Sequence, residues 1–153
     1  MDILRSLFGS VGGGDGTRVG VYVDGPNVFR SEFDVDLDDV RTTAEREGGG
    51  RLAVTRLYLD EHATPGLIQA AEAHGFEVIT TSGDVDVKLA VDATEAAVTD
   101  RIDVLVVCSR DMDFKPVLEV AARYGVETVA VAPGAHGRSD ALQQAAHRAV
   151  TLE

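Results

Sequence analysis

From Val19 onward the chain alternates short apolar runs with segments whose apolar residues fall at helical spacing. The runs Val19–Val23, Phe76–Thr80, Asp103–Cys108 and Glu127–Ala132 read as strands, as does Leu52–Leu59 with its apolar positions Val54, Leu57 and Leu59. A terminal apolar run, Ala149–Leu152, completes the set. Between them lie an acidic segment from Asp34 to Glu47, closed by Gly48-Gly49-Gly50, and several helical segments. Thr64 followed by Pro65 is a helix start signal, and Gly75 ends that run. Further helices are predicted over about Asp86–Thr99, from Asp113 as N-cap to Arg123, and near Ser139–Ala146.

Strands alternating with helices of about 10 to 14 residues predict βαβ units and a parallel sheet. Right-handed crossovers then place helices on both faces, an α/β three-layer sandwich with a mostly parallel central sheet. At 153 residues the chain suits one domain with a real core. The expected organisation is a flexible segment over residues 1–17, with Ile3, Leu4, Leu7 and Phe8 at helical spacing before a Gly-rich linker, and one domain over residues 18–153. The apolar positions of that first segment leave homo-oligomer formation open.

No apolar run reaches the ~20 residues of a membrane-spanning helix, and the opening residues lack signal-peptide features; a cytoplasmic protein without membrane contact is expected. The single cysteine, Cys108, sits in an apolar run and reads as a buried, inert thiol. The net charge is −12, Asp outnumbers Glu, and two lysines stand against twelve arginines. Such a balance fits a halophilic protein, because the Debye length shrinks to about 3 Å at 1 M salt and surface repulsion is screened. It also removes the basic patch of an ordinary nucleic-acid binder.

The acids are placed informatively. Asp24 ends the first strand in Val-Tyr-Val-Asp-Gly-Pro-Asn, where Gly25-Pro26 forces a sharp exit and Asn27 either shares the cavity or caps a helix. Ser109, Asp111 and Asp113 occupy alternate positions beyond the strongest strand and would project to one side in extended chain. Asp113 doubles as a helix cap, whereas Asp111 has no capping role in this reading. Parallel sheets collect ligand-binding residues at the strands' carboxyl ends, so Asp24, Asp86, Asp111 and Asp113 are expected to converge on one crevice. Carboxylates about 4 Å apart repel by roughly 4 kcal/mol per pair at a near-surface dielectric, which calls for a cation or a proton. Oxygen donors without a His/Cys cluster suit Mg²⁺ or Mn²⁺, and His62, His74, His136 and His147 read as surface residues. Asp92 lies six residues beyond Asp86, about 9 Å along the helix and roughly 120° around it. It binds a second ion, orients a water, pairs with an arginine or faces solvent. Lys88 either holds a phosphate or snorkels.

Three blocks, Tyr22-Val-Asp24-Gly-Pro-Asn27, Asp84-Val-Asp86-Val-Lys-Leu-Ala-Val-Asp92 and Ser109-Arg-Asp111-Met-Asp113-Phe-Lys-Pro116, resemble the signature blocks of NYN domains, which are PIN-like, metal-dependent nucleases. The resemblance runs from about Val19 to Leu152. It implies a PIN-like fold and a ribonuclease acting on RNA, single-stranded by expectation. It also implies Mg²⁺ or Mn²⁺ held by Asp24, Asp86, Asp111 and Asp113, with these four as the catalytic residues and Asn27, Asp92 and Ser109 supporting them. Arg110 stands where many relatives carry glycine; its side chain either narrows the site or, like Lys88, contacts substrate phosphate. The alternative is a catalytically silent PIN-like module that binds RNA or a protein partner. A phosphoacceptor receiver domain is weaker, because Asp24 lacks an adjacent acidic partner. Dinucleotide binding is disfavoured because the Gly-rich run precedes the first strand.

Overall fold

The computed structural model describes residues 16–29, 35–134 and 140–152. Six strands, β1 (Arg18–Asp24), β2 (Arg51–Leu59), β3 (Glu77–Thr80), β4 (Val104–Cys108), β5 (Glu127–Ala132) and β6 (Arg148–Thr151), form one sheet in the order β3-β2-β1-β4-β5-β6. Every neighbouring pair is parallel. The order reverses between β1 and β4, and the carboxyl ends of these two central strands open the crevice that such sheets use for ligands.

The connecting helices are α1 (Gly25–Val28, a single turn), α2 (Leu37–Gly48), α3 (Pro65–Ala73), α4 (Asp86–Val98), α5 (Lys115–Arg123) and α6 (Asp140–Ala145). Their limits follow local chemistry. Asp36 caps α2 by accepting from the Asp39 N–H, Thr64 caps α3 from the Leu67 N–H, and Pro65 occupies the first turn where its missing N–H costs nothing. Gly49 ends α2 in the left-handed region, at φ 68°.

Strand alternation divides the core. Val19, Val21, Val23, Leu57, Leu59, Val104, Val106 and Cys108 face α2 and α3 through Val40, Ala44 and Ala71. Tyr22, Tyr58, Leu105 and Val107 face α4, α5 and α6 through Leu89, Leu118 and Leu142. One detail departs from strict alternation. Val19 pairs with Leu52 but Gly20 pairs with Val54, so Ala53 is an extra residue in β2. This slip lets Leu52 and Leu57 share a face despite their odd spacing, and it sets Tyr58 opposite Asp24 at the top of the sheet. Cys108 is fully buried, and burial pushes its thiol up to about 12. No helix among the described residues is long and apolar enough to cross a membrane.

The expected α/β three-layer architecture is the one observed, with the sheet parallel throughout. The apolar positions at residues 3–8, the linker before Gly16, His136 and the predicted start of α6 at Ser139 lie outside the described residues.

Candidate metal centre

Asp24 closes β1, and the chain turns at once into α1. The turn is tight against β2: a Cβ on Gly25 would lie 2.5 Å from the Tyr58 carbonyl oxygen and 2.5 Å from Leu59 Cδ2. Only glycine permits this approach, and the approach fixes where the Asp24 carboxylate points. Beyond β4, Ser109 is buried, and its Oγ donates to Asp24 Oδ2 at 3.1 Å while accepting from the Asp111 N–H at 3.0 Å. One hydroxyl therefore ties the ends of the two central strands together. Asn27 adds a second tie, its Oδ1 accepting from the Arg110 N–H at 2.9 Å.

Asp86 arrives from the start of α4, after a turn in which Asp84 Oδ1 accepts from the Asp86 N–H at 2.9 Å. Asp24, Asp86 and Asp111 each offer a carboxylate oxygen, and the three atoms lie within 4.8 Å of one another. They line a cleft of about 340 Å³ together with Pro26, Asn27, Asp60 and Asp84.

The carboxylates of the cleft perturb one another. Burial raises the Asp24 carboxyl to about 6, against the pull of the Ser109 hydroxyl and the Asn27 N–H; the charges of Asp111 and Asp84 add to the rise. Asp86 is raised to about 8, first by burial, then by a hydrogen bond shared with Asp111 and by the charges of Asp24, Asp111 and Asp84. Crowding of this kind favours either a proton or a divalent cation among the carboxylates. Three hard oxygen donors, with neither imidazole nor thiolate among the described residues that line the cleft, fit Mg²⁺ or Mn²⁺.

Asp113 is not part of this trio. It is exposed, and it lines an apolar groove between α4 and α5 with Val91, Pro116 and Val117. The extended-chain expectation fails because the backbone enters a 3-10 turn at Met112–Phe114, which breaks the alternation after Asp111. The capping roles are also reversed. Asp111, read as having no capping role, caps that turn by accepting from the Asp113 N–H at 2.9 Å, whereas Asp113 lies inside the turn and α5 begins without a side-chain cap.

Asp92 corrects the solvated-face reading. It is 6% exposed and sits under β2, where its Oδ2 accepts from the Tyr58 hydroxyl at 2.7 Å and from Arg56 at 3.2 Å. Lys88, one helical turn earlier, donates to Asp92 Oδ1 at 3.0 Å. Of the roles weighed for Asp92, pairing with an arginine is the one observed, and Lys88 reaches a carboxylate of its own helix. Of the histidines, His62 is exposed, His74 is partly exposed and pairs with Asp38 at 3.4 Å, and His147 is exposed with its Nδ1 against the Thr128 N–H at 2.9 Å.

Sequence reasoning gave no site role to Asp60 and Asp84, which line the cleft. Asp60 directly follows β2, the strand beside β1, and that position relative to the switch point was the available signal. Asp84 was visible only as the start of an Asx turn before α4.

Comparison with known proteins bears on the fold and the family. A protein of unknown function from Vibrio parahaemolyticus has the same fold, with a TM-score of 0.76 and 22% sequence identity, over 90% of this chain and 93% of that one. An uncharacterized protein of Methanocaldococcus jannaschii is 38% identical over 136 residues, which are 88% of this chain and 55% of that protein. The chain thus spans about half the length of the curated relative it matches. The family model for the NYN domain matches residues 18–153, a span that holds the whole sheet and all three carboxylates of the cleft. By the match of that model over residues 18–153, the chain belongs to the NYN domain family.

Proposed function

We propose that residues 18–153 form a metal-dependent ribonuclease module that hydrolyses phosphodiester bonds of RNA. The observation that carries this reading is the convergence of Asp24, Asp86 and Asp111, from three separate elements, to within 4.8 Å at the switch point of an NYN domain. The three carboxylates hold Mg²⁺ or Mn²⁺. When bound there, the ion would lower the pKa of a water and offset charge on the departing oxygen, the usual supply of a carboxylate-held metal in phosphodiester hydrolysis. Ser109 orients Asp24 and anchors the Asp111 backbone, and Asn27 pins the Arg110 backbone across the mouth of the site. Asp92 acts from beneath, holding Arg56, Tyr58 and Lys88 in one network under β2 and α4. Asp113, exposed and away from the trio, has no part in holding the ion in this reading.

With a net charge of −12, the apo cleft repels a polyanion, and the bound cation reverses that potential locally. The same acidity suits work at high salt, where phosphate contacts from basic side chains weaken. The test is cleavage of labelled single-stranded RNA at high salt with Mn²⁺, Mg²⁺ or chelator. Metal-dependent cleavage that Asp24→Asn and Asp111→Asn abolish is expected. Binding without cleavage across a range of RNAs would instead identify a silent module.

A further inference from the structure

Next to the carboxylate cleft lies a second hollow of about 270 Å³, walled by Pro26, Phe29, Leu59, Asp60, His62 and Leu67. Pro26 and Asp60 line both spaces, so the two adjoin. Their chemistry differs sharply. The first is walled by carboxylates. The second is mainly apolar, with an aromatic ring at Phe29, an imidazole at His62 and one carboxylate at the shared edge. The backbone fixes this frame. Gly25 presses against β2, which sets Pro26 and Phe29 on one side, and the Phe29 N–H donates to the Gly25 carbonyl at 2.9 Å. On the other side, Asp60 Oδ1 accepts from the His62 N–H at 2.9 Å, and the Ala63 N–H donates to the Asp60 carbonyl at 3.1 Å. Phe29 also packs against the core beneath it.

We infer that this hollow is a nucleobase subsite, which takes the base of a nucleotide adjoining the phosphate held at the carboxylates. The inference rests on the nuclease reading for the identity of the ligand. It adds the means of holding RNA that the composition otherwise lacks. A strongly acidic protein cannot grip a single strand mainly through its phosphates, whereas stacking on aromatic faces needs no positive charge and tolerates any base sequence. Every nucleotide carries a flat, largely apolar base beside an anionic phosphate. The paired hollows match that division: a cation site for the phosphate and an aromatic, apolar wall in the adjoining hollow. Phe29, partly buried, supplies the platform, and His62, exposed at the rim, closes over the other side of the base.

The test separates binding from cleavage. In an Asp111→Asn background, with Mn²⁺ raised until the variant's own metal isotherm is saturated, affinity for a labelled single-stranded oligoribonucleotide is read by fluorescence anisotropy, for an intact strand and for strands carrying one abasic residue at each position in turn. Stacking of one base is worth about 1–3 kcal/mol by alanine substitution, or roughly 5- to 150-fold in affinity. His62→Ala and Phe29→Leu, which keeps an apolar side chain against the core, are each expected to weaken the intact strand within that range. An abasic residue at one position should weaken binding equally, and the variants should then lose nothing further on that strand. Such coupling is something a merely structural role would not produce. Equal affinity for intact and abasic strands at every position, or no binding of any strand, overturns the subsite. Absence of metal-dependent cleavage by the wild-type protein, with the abasic coupling intact, would overturn the nuclease reading alone.

Discussion

The carboxylate trio carries a stability cost that substitution should relieve. Asp24 is 3% exposed, and its carboxyl is raised from the ordinary 3.8 to about 6 by burial. Each pKa unit is worth about 1.4 kcal/mol, so ionising Asp24 in the metal-free protein costs about 3 kcal/mol relative to the unfolded chain. The sign follows from proton counts. Between about pH 4 and 6 the folded state keeps a proton on Asp24 that the unfolded chain has lost, so stability falls as pH rises through that window. Asp86, raised to about 8, extends the fall toward pH 8. Asp24→Asn keeps the shape and still offers an oxygen to the Ser109 hydroxyl, but carries no charge to desolvate. At pH 8 in chelator the variant should be more stable than wild type by on the order of 2–3 kcal/mol, or roughly 5–10 °C in melting temperature for a chain of this length. Its stability should also fall less steeply from pH 4 to pH 8, because one of the charges that raise Asp86 has gone. Urea denaturation at constant salt across that range measures both. A variant less stable than wild type at pH 8, or one with an unchanged pH slope, would refute the idea that Asp24 is held at a cost for the sake of a ligand.

The remaining predictions concern the frame around the trio. Asp92→Ala leaves the Tyr58 hydroxyl without its acceptor beneath the sheet and the Arg56 guanidinium with Glu77 as its remaining ion-pair partner, and denaturant unfolding should show a loss of about 2–4 kcal/mol. Tyr58→Phe, which removes one hydrogen bond to a charged group, should cost less, about 1.5–3 kcal/mol by the same measurement. Gly25→Ala puts a Cβ 2.5 Å from a backbone carbonyl, so β1 and β2 must part at the turn that aims Asp24. That variant should lose the melting-temperature increase on Mn²⁺ addition even where it stays folded, as followed by a thermal scan with and without the metal.

The sheet was readable in the sequence because each strand carries its own apolar run and several of the connecting segments carry a start or stop signal, as Thr64-Pro65 and Gly49 illustrate. Asp24 was legible for a local reason as well: a strand that ends in Asp-Gly-Pro has few other ways to turn. What the sequence hid depends on contacts distant along the chain. The burial of Asp92 arises from Arg56 and Tyr58 on β2, 36 and 34 residues away, and nothing within α4 announces it. The extra residue in β2 is likewise defined only by its pairing with β1. The roles of Asp111 and Asp113 were exchanged because Asp-x-Asp before a helix can cap at either acid. The 3-10 turn over Met112–Phe114 selects the first, and it takes Asp113 out of the cleft.

Calorimetric titration of the full chain with Mn²⁺ tests the central claim most directly, that Asp24, Asp86 and Asp111 together hold a divalent cation. At pH 7 a saturable binding isotherm is expected. Its heat should vary with the ionisation enthalpy of the buffer, because an Asp86 raised to about 8 must give up its proton as the ion enters. Asp86→Asn and Asp111→Asn should each weaken binding at least about tenfold, a loss of about 1.4 kcal/mol or more. An isotherm unchanged in both variants, or no binding by the wild-type protein at millimolar Mn²⁺, would contradict the account.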